Sequence, residues 1–235
     1  SAFVNLDRYA AHIFYEPFEN PLSMSYTWEY GVYRAAGLFN NVIEGIEDLG
    51  MAEDDYARQV IAQAKAGRAW SYLIGTLAYG PSYDPSGDND KQTIVYRTSA
   101  SPSDPNPQLS TTGEMFAYIK EDLDYAVTYC PDFVANPCRA SKSAAYALRA
   151  MYYMYMRDWQ AMYDDADEAW RLGLETKGSV DKLLYDFNGF YYEPDESASP
   201  APGEDVELYL QLKSEDGDTD FDKSYSRENL FYRTV

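Results

Sequence analysis

The side chains best placed to do chemistry lie between Gly80 and Ser110. Tyr83, Asp84, Asn89, Tyr96 and Arg97 fall among prolines 81, 85, 102, 105 and 107. A sugar ring offers an apolar C–H face and a rim of hydroxyls. An aromatic ring covers the face, while carboxylate, amide and guanidinium groups bond the rim. These five residues are therefore the candidate ligand-binding set. The plain alternative is a loop packed against another body. A loop this long in a compact domain is usually functional or disordered.

Other chemistries are poorly supplied. One histidine, His12, stands in 235 residues, which nearly excludes His-based zinc sites and serine or cysteine nucleophiles paired with histidine. Asp164, Asp165, Asp167 and Glu168 read as a solvated helix face. Neighbours on a helix surface do not point into a shared cleft, so they make a poor glycosidase pair. Asp216, Asp218, Asp220 and Asp222 begin like a calcium loop. Phe221 and Arg227 then stand where its glycine and glutamate belong, so an acidic turn is expected. No cofactor or metal is implied. Cys130 and Cys138, each beside a proline, are candidates for a disulfide if the chain is exported, with two free thiols as the alternative.

Lys and Arg number 19 against 39 Asp and Glu, a net charge of −20 that repels phosphate backbones and argues against nucleic acid. No stretch approaches the ~18 apolar residues of a membrane span. The first residues, Ser1 to Asn5, show no basic start and apolar run, so an export signal is expected to be removed or absent. Tyrosine is abundant at 24 residues; most are expected to cover a helical core, and some suit wet recognition surfaces.

The elements that must hold the loop are helices. Trp28, Val32, Ala35, Phe39, Val42, Ile46 and Leu49 form one stripe from Ser25 to Leu49, closed by Gly50. A second helix is expected from Asp54 to Ala78, its face carrying Tyr56, Val60, Ala64, Ser71, Ile74 and Ala78. Gly67 and Gly75 within it imply close packing. Gly80-Pro81 ends it, and 81–110 reads as an irregular loop. Thr111 to Glu114 is a capping box opening a third helix to Tyr129. Ser141 caps a fourth helix with Ala144, Leu148, Met151 and Tyr155 on one face. Asp158 opens a fifth with Trp159, Met162, Ala166 and Ala169 inward, ending near Gly173, and Ser179 to Phe187 adds a short sixth. Trp28, Trp70, Trp159 and Trp170 are expected in the core. Glu193 to Asp205 reads as loop, Val206 to Lys213 alternates as a strand, and Glu228 to Val235 reads as another strand. The fold class is mainly α: tetratricopeptide-like antiparallel helix pairs in a partial solenoid, as one domain over 1–235 with a loop and strand tail at 188–235.

Four stretches, in order and with matching gaps, carry a family resemblance. They are Trp28-Glu29-Tyr30 through Phe39-Asn40-Asn41-Val42-Ile43, Ala64 to Tyr72 through Tyr79-Gly80-Pro81, Thr112 to Ala126, and Arg139 to Leu148 with Asp158-Trp159 and Ala166. Glu228-Asn229-Leu230-Phe231 follows as a strand-like segment. The chain resembles the N-terminal half of SusD/RagB-like proteins, the outer-membrane nutrient-binding lipoproteins of Bacteroidetes, and is expected to continue past Val235. The resemblance implies a tetratricopeptide-like scaffold and a lipid-anchored cell-surface location, though the anchoring cysteine is absent from this sequence. It implies an oligosaccharide or polysaccharide as cargo and a TonB-dependent transporter as partner, with no catalysis. Ligand-binding aromatics in the loop after the second helix are implied too. Some relatives look more like peptide binders, which keeps a peptide-binding scaffold as the alternative.

Overall fold

Asp54 accepts hydrogen bonds from the backbone N–H groups of Tyr56 and Ala57, each at 3.0 Å, and so opens the longest helix. A computed structural model of the chain describes residues 31–101, 103, 108–195, 210–214 and 226–231. Helix α1 spans Arg34–Asp48, α2 Asp55–Tyr79, α3 Thr112–Tyr129, α4 Lys142–Met156 and α5 Trp159–Lys177. Two small antiparallel sheets complete the described part, β1 (Gln92–Val95) with β2 (Leu109–Thr111), and β3 (Tyr191–Pro194) with β4 (Leu210–Lys213). The mainly helical class expected from the sequence is the observed one.

The caps follow from side-chain chemistry. Thr111 and Glu114 form a reciprocal capping box at the start of α3, each satisfying the other's backbone N–H. Ser141 accepts from Ala144 N at 3.2 Å at the start of α4, and Asp158 from Ala161 N at 3.1 Å at the start of α5. Arg157 and Asp158 alone connect α4 to α5, with Arg157 in the left-handed region at φ 61°. That reversal folds α5 back along α4 as a helical hairpin.

Packing runs α1 on α2, α2 on α3, α3 on α4 and α4 on α5. The core centres on Tyr72, Leu73, Ile94, Met115, Phe116, Ile119, Leu123 and Tyr152. Gly67 and Gly75 are there for close approach. A Cβ on Gly67 would collide with the Phe39 ring, and one on Gly75 would lie 2.8 Å from a methyl of the fully buried Val32.

Several expected faces are rotated. Helix α1 buries Ala35, Ala36, Asn40 and Ile43, leaving Val42 and Leu49 in solvent. Tyr56 of α2 is also exposed. Helix α5 runs on to Lys177, past Gly173, and buries Asp165, Ala169 and Gly173 against α4. Its large aromatics point the other way: Trp159 is 59% exposed and Trp170 40%. Ala166 is exposed as well. The cause is close packing. Ser143 Oγ donates to Ala169 O at 2.8 Å, and Arg149 of α4 makes two hydrogen bonds to Asp165 at 2.7 and 2.9 Å. A small-residue face fits that approach, and a tryptophan face does not. Asp165 therefore leaves the expected solvated run and becomes a buried ion-pair partner.

The remaining corrections concern strands and turns. The 81–110 stretch is not wholly irregular, since it contains β1 and begins β2. No helix forms at Ser179 to Phe187. Turns run to Leu184, and a single 3₁₀ turn spans Phe187–Gly189. The strand expected from Val206 is present as β4, and its partner β3 takes Glu193 and Pro194 out of the expected loop. Residues 226–231, with Glu228 to Phe231 among them, are turn and bend rather than strand. Positions 12, 28, 206–209, 216, 218, 220–222 and 232–235, and prolines 102, 105 and 107, lie outside the described residues.

Candidate functional site

Two tyrosine hydroxyls position the loop that follows α2. Tyr33 Oη donates to Val95 O at 3.1 Å and accepts from Val95 N at 3.0 Å. Tyr72 Oη donates to Arg97 O and accepts from Arg97 N, both at 3.0 Å. Each hydroxyl thus does for one residue what a neighbouring strand's backbone would do, at alternate positions along an extended segment. Asn40 Nδ2 adds a fifth bond, to Arg97 O at 3.0 Å. On its other edge the segment pairs with β2, Gln92 opposite Thr111 and Val95 opposite Leu109.

Asn40 also joins this loop to a buried ionic cluster. Its Oδ1 accepts from Arg68 Nη1 at 2.7 Å. Arg68 reaches Asp122 of α3 through Nε at 2.7 Å and Nη2 at 2.8 Å, and Lys65 Nζ adds 2.9 Å to the same carboxylate. A bidentate guanidinium–carboxylate pair fixes direction as well as distance. Burial pushes the Tyr72 phenol up to about 12. Tyr72 therefore stays a neutral hydroxyl that donates and accepts together. Tyr96 is raised further, first by burial and then by the nearby Asp122 carboxylate.

The five expected site residues fall into two groups. Tyr96 stacks on Tyr118 at 4.3 Å with rings 12° apart, leans on Tyr72 at 4.9 Å, and has Arg68 5.8 Å from its ring centre. Arg97 sits beside it, its backbone clamped and its Nη2 donating to Ser101 O at 3.0 Å. Tyr83 rests on Phe116 at 4.8 Å. Asp84 and Asn89 close an exposed turn next to it: Asp84 accepts from Ser86 N and Oγ, and Asn89, at φ 52°, bonds both N and O of Asp84. Phe116 and Tyr118 are two residues apart on α3, so their side chains leave the helix in different directions. The rings of Tyr83 and Tyr96 are thus half-buried in packing, and the exposed polar edge belongs to Asp84, with Asn89 half-buried behind it. The sequence reading missed Tyr33, Asn40, Arg68, Tyr72 and Asp122. The available signal was the coincidence of Asn40, Arg68 and Asp122 on stretches otherwise read as apolar helix faces.

Cys130 and Cys138 are free thiols in this structure, the first buried and the second exposed, where a bridge was one expectation. Burial pushes the Cys130 thiol up to about 12, so it is a poor nucleophile at neutral pH. The native chain should take up one equivalent of maleimide at pH 7, at Cys138, and a second only on unfolding. Uptake of none without reductant would mean that the two are bridged. Among the described residues no group of three or more His, Cys, Asp or Glu side chains is placed to hold a metal ion, and no described helix is long and apolar enough to cross a membrane.

Known proteins bear directly on this arrangement. The family described as SusD-like_3, starch-binding associating with outer membrane, matches residues 15–154. The chain belongs to this family. The matched span takes in α1, α2, the clamped loop, α3 and nearly all of α4. Solved structures agree on the fold of a SusD-like protein. A putative sugar binding protein from Bacteroides vulgatus superposes with a TM-score of 0.58 at 21% identity, over 66% of this chain and 34% of that one. A SusD superfamily protein from the same species gives 0.55 at 22%, over 66% and 35%. One from Bacteroides thetaiotaomicron gives 0.53 at 20%, over 66% and 32%. The chain spans about a third of the length of these relatives. No curated protein matches.

Proposed function

We propose that this SusD-like chain captures oligosaccharides at the cell surface without altering them, and passes them to a TonB-dependent outer-membrane transporter. A lipid anchor outside this sequence would hold it to the membrane. The observation that carries the reading is the family match over residues 15–154, to proteins described as starch-binding and associated with the outer membrane. The clamped loop supports it. Tyr83, Asp84, Asn89, Tyr96 and Arg97 are proposed as its ligand face, with Asp84 meeting hydroxyls at a turn that Asn89 closes, and Arg97 on the segment that Tyr33, Tyr72 and Asn40 hold in place. A preformed edge binds without first being ordered, which spares the entropy a mobile loop would lose.

Native affinity electrophoresis against a panel of plant, host and microbial polysaccharides tests this. At least one glycan should retard the chain, and Asp84→Ala with Asn89→Ala should weaken that retardation roughly tenfold, the equivalent of two or three neutral hydrogen bonds. New reducing ends should not accumulate. Absence of retardation across the panel, on this chain and on one extended to the relatives' length, would overturn the reading in favour of a peptide-binding scaffold.

A further inference from the structure

A cavity of about 200 Å³ is bounded by the α3–α4 connection, the start of α4 and the end of α5. Phe133 and Asp132 line it from the connection, Ser141 and Ser143 from the start of α4, Thr176 and Lys177 from the end of α5. Clefts that enclose whole drug-sized ligands run to ~300–1,000 Å³. This one suits a single six-membered ring.

Its charges are unequal in availability. The acid in the lining, Asp132, is engaged by Lys142 at 3.6 Å. The cation, Lys177, has no ion-pair partner among the described residues. Ser141 Oγ accepts from Ala144 N and keeps its own proton to give. Phe133, which lines the cavity and is 67% exposed, offers an uncovered ring. The pocket thus presents one unspent positive charge, at least one spare hydroxyl donor and one flat apolar surface. We propose that it binds a carboxylated sugar unit: the carboxylate on Lys177 Nζ, ring hydroxyls on the serine and threonine side chains, and the C–H face on Phe133. One ammonium matches one carboxylate; a doubly charged phosphate ester would ask for more. The chain's −20 charge does not forbid this, because charges more than ~8 Å away are largely screened at physiological salt. The choice of a sugar rests on the glycan-binding reading, whereas the carboxylate is argued from the pocket alone.

Titration calorimetry or ligand-observed NMR with galacturonic acid, glucose and acetate tests it. Galacturonic acid should bind roughly tenfold tighter than either glucose or acetate, since each lacks one of the two contacts. Lys177→Gln and Phe133→Ala should each weaken it by a similar factor while leaving the melting temperature unchanged, both side chains being at the surface. Equal binding of glucose, or no effect of Lys177→Gln, would overturn the carboxylate assignment. Acetate binding as tightly as galacturonic acid would reduce the pocket to a plain anion site and overturn the sugar. Failure here with polysaccharide retardation intact would sink this pocket alone, and the reverse result would sink the loop reading alone.

Discussion

Replacing Asp122 with alanine should destabilise the fold by about 3–5 kcal/mol, the range for removing one partner of a buried ion pair. The carboxylate is 2% exposed and Arg68 5%. It accepts three charged hydrogen bonds, two from Arg68 and one from Lys65. Without it, the Arg68 guanidinium keeps one hydrogen bond, to the Asn40 side-chain oxygen, and the Tyr96 ring in a region closed to water. Lys65, 17% exposed, can turn to solvent, so Lys65→Met should cost no more than about 1 kcal/mol. An Arg68→Met, Asp122→Leu double variant should recover most of the loss, because apolar replacement of both partners leaves no orphaned charge. Urea melts of the four proteins at pH 7 decide it. A single Asp122→Ala variant within 1 kcal/mol of the parent, or a double variant less stable than that single one, would show that the pair contributes little.

This cluster shows where sequence patterning fails. Caps and breaks were legible because each is a local contract between neighbouring residues: Thr111 with Glu114, Ser141 with Ala144, Gly50 and Pro81 after their helices. Helix identity was legible from spacing. Which side of a helix faces inward was less so, because spacing ranks faces by apolar size. Helix α5 instead packs through Ala169 and Gly173 with Asp165 neutralised by Arg149, and turns Trp159 and Trp170 outward. Helix α1 buries Asn40 while Leu38 and Val42 stay wet. In both helices the deciding partner lies on another element, 57 residues away for Asn40 and Arg97. The candidate loop was legible as a place, from its prolines and polar residues. Its internal order was not, since β1 is short and its second edge is supplied by side chains rather than by a strand.

That second edge can be removed directly. Tyr72→Phe and Tyr33→Phe each delete one oxygen that serves both an N–H and a C=O of the loop. Each should cost about 1–3 kcal/mol, the penalty for leaving a sheltered backbone group without a partner. Tyr72→Phe should be the costlier, because Tyr72 is fully buried, whereas Tyr33 is only half-buried. Arg97 O retains Asn40 in that variant, so the orphan is the Arg97 N–H. Hydrogen exchange read residue by residue should show faster exchange at Arg97 in Tyr72→Phe and at Val95 in Tyr33→Phe, with α4 and α5 unmoved. A pH series adds an independent check. Burial raises the Tyr72 phenol from 10.0 to about 12 and raises Tyr33 as well. A group raised in the folded state contributes stability below its unfolded value and loses it as pH climbs through the folded value. The parent chain should therefore lose stability between pH 10 and about 12, and the double phenylalanine variant should lose distinctly less over that interval. Equal alkaline sensitivity in the two chains would place the titrating hydroxyls elsewhere among the tyrosines. The exchange pattern would then have to stand alone as evidence for the clamp, and uniform exchange across the loop in both single variants would remove it.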